Sequence, residues 1–391
     1  MRGAAKYEID RVAYPIVFEE KAEFKDTYAG AADTVFYDAL LLKPRDRNSK
    51  TAIVFSHPIG GGAWLPLVTA LARAGHHVIY ANGRYRGNDT ALIMEKCVVD
   101  LGACVRHAKE KLGYERIVFG GWSGGGSLSL FYQQQAERPT LTATPAGDAP
   151  DLTQAGLIAG DGMMLLAAHV SRATTLTEWM DASILDEADP SKKNSELDLY
   201  DASISNQPPY SEAFLEAYRA AQVARNRRIT DWVNEKLAEL KARGRPHDEF
   251  AFVVHGTMAD PRWLDASLDA NQREPGTCYL GDPETVNNGP VGLARFCTLR
   301  SWLSQWSYDE SRADGVACAR DISIPTLVIG NLADNACTPS HTHRLYDAIS
   351  HEDKALHEID GASHYYIGQR EQLAEAVGVC DAWLLAHGFG E

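Results

Sequence analysis

The stretch that decides the fold is "IVFGGWSGGGSLSL", residues 117–130. Apolar, β-favouring residues lead into two glycines, a tryptophan, one serine and three more glycines, and a helical pattern follows. Glycine-rich backbone on both sides of one hydroxyl, that of Ser123, is typical of a sharp turn rather than of a flexible linker. The stretch therefore predicts a strand that turns directly into a helix, with Ser123 at the turn.

Residues 121–125 have the pattern G-x-S-x-G. Between a strand and a helix, this pattern holds the serine hydroxyl out at the carboxyl end of a sheet, because only small neighbours fit the turn. The helix N-terminus behind the serine presents backbone N–H groups that favour negative charge on a substrate oxygen. The pattern predicts Ser123 as a nucleophile and the N–H of Gly124 as an oxyanion donor. The alternative is that Ser123 is only a small residue in a tight turn.

Strand-like runs alternate with helical patterns on both sides of this turn. The predicted strands are 34–44, 51–58, 76–82, 115–121, 154–162, 324–331 and 354–360, and the predicted helices between them are 63–75, 91–113, 125–135, 340–350 and 371–388. Such alternation is typical of an α/β protein with a mostly parallel sheet and helices on both faces.

The alternation stops once, over residues 164–319, which are mainly helical and irregular. One helix is predicted there with little interruption, from 211 to 244. A sheet that is interrupted and then completed indicates one α/β domain with a large inserted cap. We therefore expect a core formed by residues 1–163 and 320–391, and a cap formed by residues 164–319. Two sequential domains would leave the last strands without a sheet to join.

A serine hydroxyl needs a base to take its proton, and the base needs an acid to orient it. On this scaffold the chain order is serine, acid, histidine. Asp334 follows one predicted strand and His364 follows the next, so both are expected on the rim that presents Ser123. Asp161 is the alternative acid. Asp334 could instead cap a helix, and His364 could be a surface residue.

The second oxyanion donor is expected in the loop after the strand at 51–58, "SHPIGGGAW" (56–64). Pro58 has no N–H, so the N–H of Ile59 or of Gly60 is the predicted donor. His57 is expected to brace this loop, and a catalytic role is the alternative. Trp122, beside the nucleophile, either shapes an acyl pocket or packs beneath the turn.

The composition excludes several classes of protein. A formal net charge of −15 disfavours nucleic acid and anionic membranes as partners. Seven cysteines without C-x-x-C spacing indicate reduced thiols, and no signal-peptide or membrane-spanning pattern is present, so we expect a soluble, cytoplasmic protein. His341 and His343 lack a nearby acidic partner at ligand-like spacing, which favours a solvent-facing helix start over a metal site. No metal site is predicted.

Five segments together resemble the α/β-hydrolase superfamily: "SHPIGGG" (56–62), "NGRYRGND" (82–89), "GGWSGGG" (120–126), "NLADNACTP" (331–339) and "GASHYY" (361–366). The resemblance implies an eight-stranded, mostly parallel sheet and a serine acyl-enzyme mechanism without a cofactor. It also implies that the insertion between the sixth and seventh strands is a lid. Asn82 and Tyr85 depart from the family's Asp-x-Arg-Gly-x-Gly turn, and Pro58 replaces the usual glycine.

These expectations combine into one leading function, a serine hydrolase of the carboxylic ester type. It would cleave an ester or related acyl bond in a small or medium, partly apolar molecule, because a large lid suits a covered pocket. The alternatives are hydrolysis of a carbon–carbon bond beside a ketone, acyl transfer, and a non-catalytic ligand receptor. The expected partner is a small-molecule substrate, and a homodimer is left open.

Overall fold

The computed structural model describes residues 7–21, 24–28, 31–203, 206–290, 292–293 and 295–390. Residues 1–6, where the sequence analysis finds no signal-peptide pattern, lie outside these ranges. The strands within them are β1 (Ile9–Glu19), β2 (Thr34–Pro44), β3 (Thr51–Ser56), β4 (His77–Ala81), β5 (Arg116–Ser123), β6 (Gly162–Ala168), β7 (Ala251–Val253), β8 (Phe296–Thr298), β9 (Thr326–Asn331) and β10 (Lys354–Ile359).

Eight of these strands form one sheet, in the order β1-β2-β4-β3-β5-β6-β9-β10. From β4 to β10 across the sheet every neighbouring pair is parallel, and only β2 runs antiparallel to its two neighbours. The short strands β7 and β8 pair with each other, outside this sheet. The predicted eight-stranded, mostly parallel α/β sheet is confirmed.

Helices connect the strands and fill the insertion. They are α1 (Pro66–Ala74), α2 (Met94–Glu110), α3 (Gly124–Glu137), α4 (Arg172–Trp179), α5 (Glu212–Ala242), α6 (Pro261–Leu264), α7 (Pro283–Asn288), α8 (Leu299–Ser301), α9 (Gly315–Ala319), α10 (Pro339–Ala348) and α11 (Arg370–Ala386), with a π-helical turn at Trp302–Trp306. None of the helices in the described ranges is both long and apolar enough to cross a bilayer.

Helices cover both faces of the sheet, as the alternation predicts. On one face, α2 and α3 pack residues such as Val98 and Leu128 into a large apolar cluster. On the other face, α1 and α11 do the same with Leu71 and Leu384. Because both faces are buried, the central strands are mainly apolar; all six residues of β3, for example, are buried.

The insertion has an apolar core of its own, formed largely by tryptophans. Trp302 and Trp306 stack with ring centroids 5.2 Å apart, and Trp179 packs against Trp263 at 5.5 Å. The long helix α5 contributes Ile229 and other residues to this cluster. Helix α5 confirms the long helix predicted over 211–244; its N-cap, Ser211, accepts a hydrogen bond from the N–H of Phe214.

The strand predicted at 154–162 was wrong. The strand is β6, Gly162–Ala168, and residues 157–161 are irregular. Its run "MMLLAA" is buried on both faces, and such a run has no periodicity that separates a strand from a buried helix. Strand β6 therefore crosses the predicted boundary between core and insertion at residue 163. Helix α9, at the end of the predicted insertion, also packs against α3 of the core. For the rest of 164–319, the assignment to a cap stays a prediction.

Strand β1, at the edge of the sheet, was not predicted. It pairs with β2 over eleven residues, and Pro15 lies opposite Asp38. An edge strand tolerates a proline because the side that faces away from its neighbour needs no N–H. The proline and the partly exposed faces of the strand hide it in the sequence pattern.

Candidate active site

Ser123 stands at a strained turn between β5 and α3. Its φ and ψ are 53° and −128°, a conformation that non-glycine residues rarely adopt. A Cβ on Gly121 would lie 2.7 Å from the Cα of Gly126, and a Cβ on Gly125 would lie 2.2 Å from the carbonyl oxygen of Ser56. The turn therefore closes only when glycines flank the serine, as the G-x-S-x-G pattern predicts.

The structure brings Ser123, His364 and Asp334 into one hydrogen-bonded row. His364 Nε2 lies 3.2 Å from the Oγ of Ser123, and His364 Nδ1 lies 2.7 Å from Oδ2 of Asp334. A carboxylate beside Nδ1 keeps the proton on that nitrogen, which leaves Nε2 free to accept the serine proton. The row is the arrangement that an activated serine needs.

Asp334 is fully buried, and its second oxygen is also held. Oδ1 accepts hydrogen bonds from the N–H groups of Ala336 and Cys337, at 2.7 and 2.8 Å. Helix α10 is capped by Thr338 and not by Asp334. The carboxylate therefore organises its own loop and faces His364 at the same time.

Aromatic side chains enclose the imidazole of His364 from the core side. The rings of Trp122 and Tyr365 lie 4.7 and 4.9 Å from it. The indole N–H of Trp122 donates to the carbonyl oxygen of His364 at 3.2 Å. Trp122 thus positions the backbone that carries His364, and it also lines a cavity of about 10 Å³ with Leu65 and Tyr365.

The segment after β6 and the insertion cover the other side of His364. The rings of His169 and Tyr279 lie 6.3 and 6.4 Å from its ring, and Trp179 packs against Tyr279 at 5.2 Å. The hydroxyl of Tyr279 is buried and has no hydrogen-bond partner among the described residues. With Ser123 only 6% exposed, the site is covered by the protein and is not an open cleft.

The loop after β3 uses its N–H groups within the loop. The N–H of Gly60 donates to the carbonyl oxygen of His57 at 2.8 Å, and the N–H of Ile59 points to His57 Nδ1 at 3.3 Å. The N–H of Gly61 donates to Oδ1 of Asn82 at 2.9 Å. Gly124, as the first residue of α3, has an N–H without an intrahelical acceptor. Of the predicted oxyanion donors, Gly124 is thus open to a ligand, whereas Ile59 and Gly60 are engaged.

His57 lies beside the nucleophile in a neutral form. Burial lowers its pKa to about 3, with a smaller contribution from the positive charge of Arg172. Its ring lies 5.9 Å from that of Trp122. A Cβ on Gly124 would lie 2.9 Å from His57 Nε2, so the imidazole reaches the start of α3.

Two other sequence hypotheses have clear outcomes. The alternative acid, Asp161, accepts from the N–H of Ile117 at 2.8 Å near the start of β5, whereas Ser123 lies at the end of that strand.

The two histidines of the H-x-H pair lie in different environments. His343 is exposed and lies 3.0 Å from Glu358, as a solvent-facing helix start requires. His341, however, is fully buried, so the solvent-facing interpretation was wrong for that residue.

Within the described ranges, one group of side chains could hold a metal ion: Asp334, Cys337 and His364, whose ligand atoms lie within 4.8 Å of one another. The carboxylate and the imidazole of this group already bond to each other at 2.7 Å. Burial first, and then the negative charge of Asp334, raise the pKa of the Cys337 thiol well above its ordinary value, which disfavours the thiolate that a metal would bind.

Sequence reasoning missed three residues that surround the row. His169 directly follows β6, and the carboxyl-end rule would have found it if that strand had been bounded correctly. Cys337 lies three residues after Asp334, but its spacing carries no signal by itself. Tyr279 comes from an irregular part of the insertion, and only the tertiary structure places it beside His364.

A larger groove, of about 860 Å³, lies elsewhere on the molecule. It follows the outer side of α5 and is lined by residues such as Arg219, Arg227 and Trp232. The groove is open to solvent, and its lining lacks an activated nucleophile. The covered site around Ser123, and not this groove, is therefore the candidate active site.

Comparisons with known proteins agree with the topology. A highly thermostable carboxyl esterase from Bacillus coagulans, in complex with glycerol, is 10% identical, with a TM-score of 0.50 over 97% of this chain and 98% of that chain. A proline iminopeptidase from Mycobacterium smegmatis (16% identity, 90% and 95% coverage, TM-score 0.43) and a monoacylglycerol lipase from Paleococcus ferrophilus (16%, 87% and 96%, 0.43) are also similar. No protein-family model and no curated protein sequence matches the chain. The chain has the α/β-hydrolase fold.

Proposed function

We propose that the protein is a serine hydrolase that cleaves an ester or related acyl bond of a small or medium, partly apolar molecule. The observation that carries this proposal is the row from Ser123 through His364 to Asp334, with distances of 3.2 and 2.7 Å. Ser123 is the nucleophile, His364 the general base and Asp334 the orienting acid. All three are buried, so their interactions are strengthened by the exclusion of water.

Acylation proceeds from this geometry. The Oγ of Ser123 forms a bond to the carbonyl carbon while its proton passes to Nε2 of His364, and the carbonyl π electrons move onto oxygen. The N–H of Gly124 stabilises that oxyanion. When the intermediate collapses, the bond to the leaving group breaks and the leaving group takes the proton from Nε2. An acyl ester on Ser123 remains.

Deacylation repeats these steps with water. The water oxygen bonds to the acyl carbon and its proton passes to Nε2 of His364; the bond to Ser123 Oγ then breaks, and Oγ takes that proton back. The products are the carboxylic acid and the free enzyme. The chain's own residues perform every step, and the proposal involves no cofactor.

The aromatic side chains around His364 favour an apolar substrate of limited size. Trp122, Tyr365, Tyr279 and Trp179 surround His364 or one another, and the insertion supplies the last two. Aromatic walls bury apolar groups and exclude bulk water. A nucleophile that is only 6% exposed disfavours a long polymer as the substrate.

The first experiment is intact-mass analysis after treatment with a fluorophosphonate. We expect a single adduct on the wild type and none on Ser123→Ala. Ser129→Ala is the matched control, because Ser129 is another buried serine of α3. It should label as the wild type does. A panel of p-nitrophenyl esters of increasing acyl length then measures kcat/KM.

Each result decides the proposal. Hydrolysis of these esters by the wild type and by Ser129→Ala, but not by Ser123→Ala, would support it. A folded wild type that neither labels nor hydrolyses any ester would overturn it, as would labelling that persists in Ser123→Ala.

A further inference from the structure

The loop after β3 is expected to supply the second oxyanion donor, but its N–H groups have other partners. Pro58 has no N–H, and the N–H of Gly60 closes a turn onto the carbonyl oxygen of His57 at 2.8 Å. The N–H of Ile59 points into the ring of His57, with Nδ1 at 3.3 Å. Neither predicted backbone donor faces the nucleophile without a rearrangement of the turn.

The same contacts decide where the proton of His57 lies. A neutral imidazole carries one proton, and Nδ1 is the acceptor for the N–H of Ile59, so the proton is on Nε2. Among the described residues, Nε2 has no hydrogen-bond partner. It is a preformed donor that an acceptor atom of a bound ligand can use.

The position of Nε2 identifies that acceptor. It lies 2.9 Å from where a Cβ of Gly124 would be, at the residue whose N–H is the first oxyanion donor. Arg172, paired with Asp89 at 2.7 Å, adds positive charge near the ring and helps to keep His57 neutral. We propose that the Nε2–H of His57, instead of a backbone N–H of residues 59–60, is the second oxyanion donor; this rests on the proposed serine hydrolase function.

A side-chain donor gives the loop a consistent role. The N–H of Ile59 holds the ring and its tautomer, and the N–H of Gly60 holds the carbonyl oxygen of His57. The turn thus positions His57 instead of meeting the substrate itself. A neutral N–H donor is already in place when the oxyanion forms, so no proton has to move to create it. Electrostatic preorganisation requires such a donor. By this reasoning His57 is a catalytic residue, since it contacts the reacting oxygen.

The test compares two variants of nearly equal size. His57→Gln keeps an N–H close to the position of Nε2, whereas His57→Met has no donor. With p-nitrophenyl butyrate as the probe, we expect His57→Met to lose about 10²–10³-fold in kcat with KM changed little, as for the removal of one oxyanion donor. His57→Gln should recover at least about tenfold of that loss. Thermal melts of both variants monitor folding.

The outcomes separate this inference from the function on which it rests. A wild type without activity or labelling would overturn both. An active wild type whose Gln and Met variants lose the same factor would overturn this inference alone, because a purely structural role of His57 cannot distinguish them. Retention of full kcat by His57→Met would also overturn it and would assign the donor to the backbone of Ile59 or Gly60.

Discussion

At the scale of single residues, the site depends on how each polar atom is partnered. Asp334 accepts two backbone hydrogen bonds on Oδ1 and faces His364 with Oδ2. His57 is oriented in the same way by the N–H of Ile59. In both cases the local loop fixes one atom of the side chain so that the other is aimed at the site. Exchanging a single acceptor atom for a donor atom in these side chains should therefore change kcat strongly.

Asp334→Asn keeps the shape of the side chain but exchanges an acceptor for a donor. The amide N–H facing His364 would force the proton from Nδ1 to Nε2, and the imidazole could then no longer take the proton of Ser123. We expect a loss of about 10⁴-fold in kcat with little change in stability. Steady-state kinetics check this, and Asp161→Asn, at the far end of the sheet, should keep full kcat. Equal losses in both variants would contradict the assignment.

His341 makes the stability of the fold dependent on pH. Burial lowers its pKa to about 4, with Arg262 adding to the effect. Between pH 6.5 and 4 the unfolded chain binds a proton at this residue and the folded chain does not. Acidification therefore favours unfolding, and the free energy of unfolding should fall by on the order of 3 kcal/mol from this residue alone.

Urea unfolding at pH 7, 5.5 and 4.5 measures this slope. In His341→Asn, whose Oδ1 can replace Nδ1 as acceptor for the N–H of Val170, the slope should be smaller. His343→Asn, an exposed neighbour on α10, should keep the wild-type slope. A wild-type slope in His341→Asn would show that other groups cause the pH dependence.

At the scale of elements, the strand–turn–helix of β5 and α3 is the part of the fold most sensitive to added volume. Its turn passes so close to β3 that the carbonyl oxygen of Ser56 lies 2.2 Å from where a Cβ of Gly125 would be. A backbone oxygen in a buried parallel strand has little room to move. The constraint is steric, and it is separate from the chemistry of Ser123.

Gly125→Ala should therefore destabilise the protein by about 1–3 kcal/mol, as overpacking does, and should also reduce fluorophosphonate labelling. Gly378→Ala is the control. Gly378 is exposed in α11, and its Cβ would meet no atom within 4 Å. Alanine there should stabilise the helix by about 0.5–1 kcal/mol and leave labelling unchanged. Urea denaturation compares the two; a neutral Gly125→Ala would mean that the turn relaxes.

At the scale of the whole molecule, the insertion is fastened to the loop that carries Asp334. The indole N–H of Trp263 donates to the carbonyl oxygen of Asn335 at 2.6 Å, and Asn271 donates to the carbonyl oxygen of Asp334 at 2.8 Å. Arg262, buried between Asp260 and Glu178, also reaches Thr338. The insertion and the acid of the site thus form one connected structure.

Removal of the buried Arg262 tests that connection. Arg262→Met leaves the buried carboxylates of Asp260 and Glu178 with less compensation, and we expect a loss of about 3–5 kcal/mol in unfolding free energy. Arg227→Met, which breaks an exposed pair with Asp309, should cost much less, because solvent screens that pair. Urea unfolding of both variants measures the difference. Equal costs would show that Arg262 contributes no more than a surface pair.

The amino-acid sequence by itself determined the core alternation, the turn at Ser123 and the order of Ser123, Asp334 and His364 along the chain. These features are local: periodicity identifies most elements, and the carboxyl ends of parallel strands meet at one rim. The same local reasoning failed for β6, because a strand buried on both faces has no period, and for β1, because an edge strand is only weakly patterned.

Only the tertiary structure decided which side chains cover the site and which N–H groups remain open there. Tyr279 and Trp179 reach His364 through an insertion whose path no local pattern specifies. The N–H groups of Ile59 and Gly60 were available donors in the sequence, but in the folded loop they bond to His57. Hydrogen-bond partners depend on the positions of backbone atoms in three dimensions. For that reason the sequence indicated which loop approaches Ser123, whereas only the fold shows which of its N–H groups are already engaged.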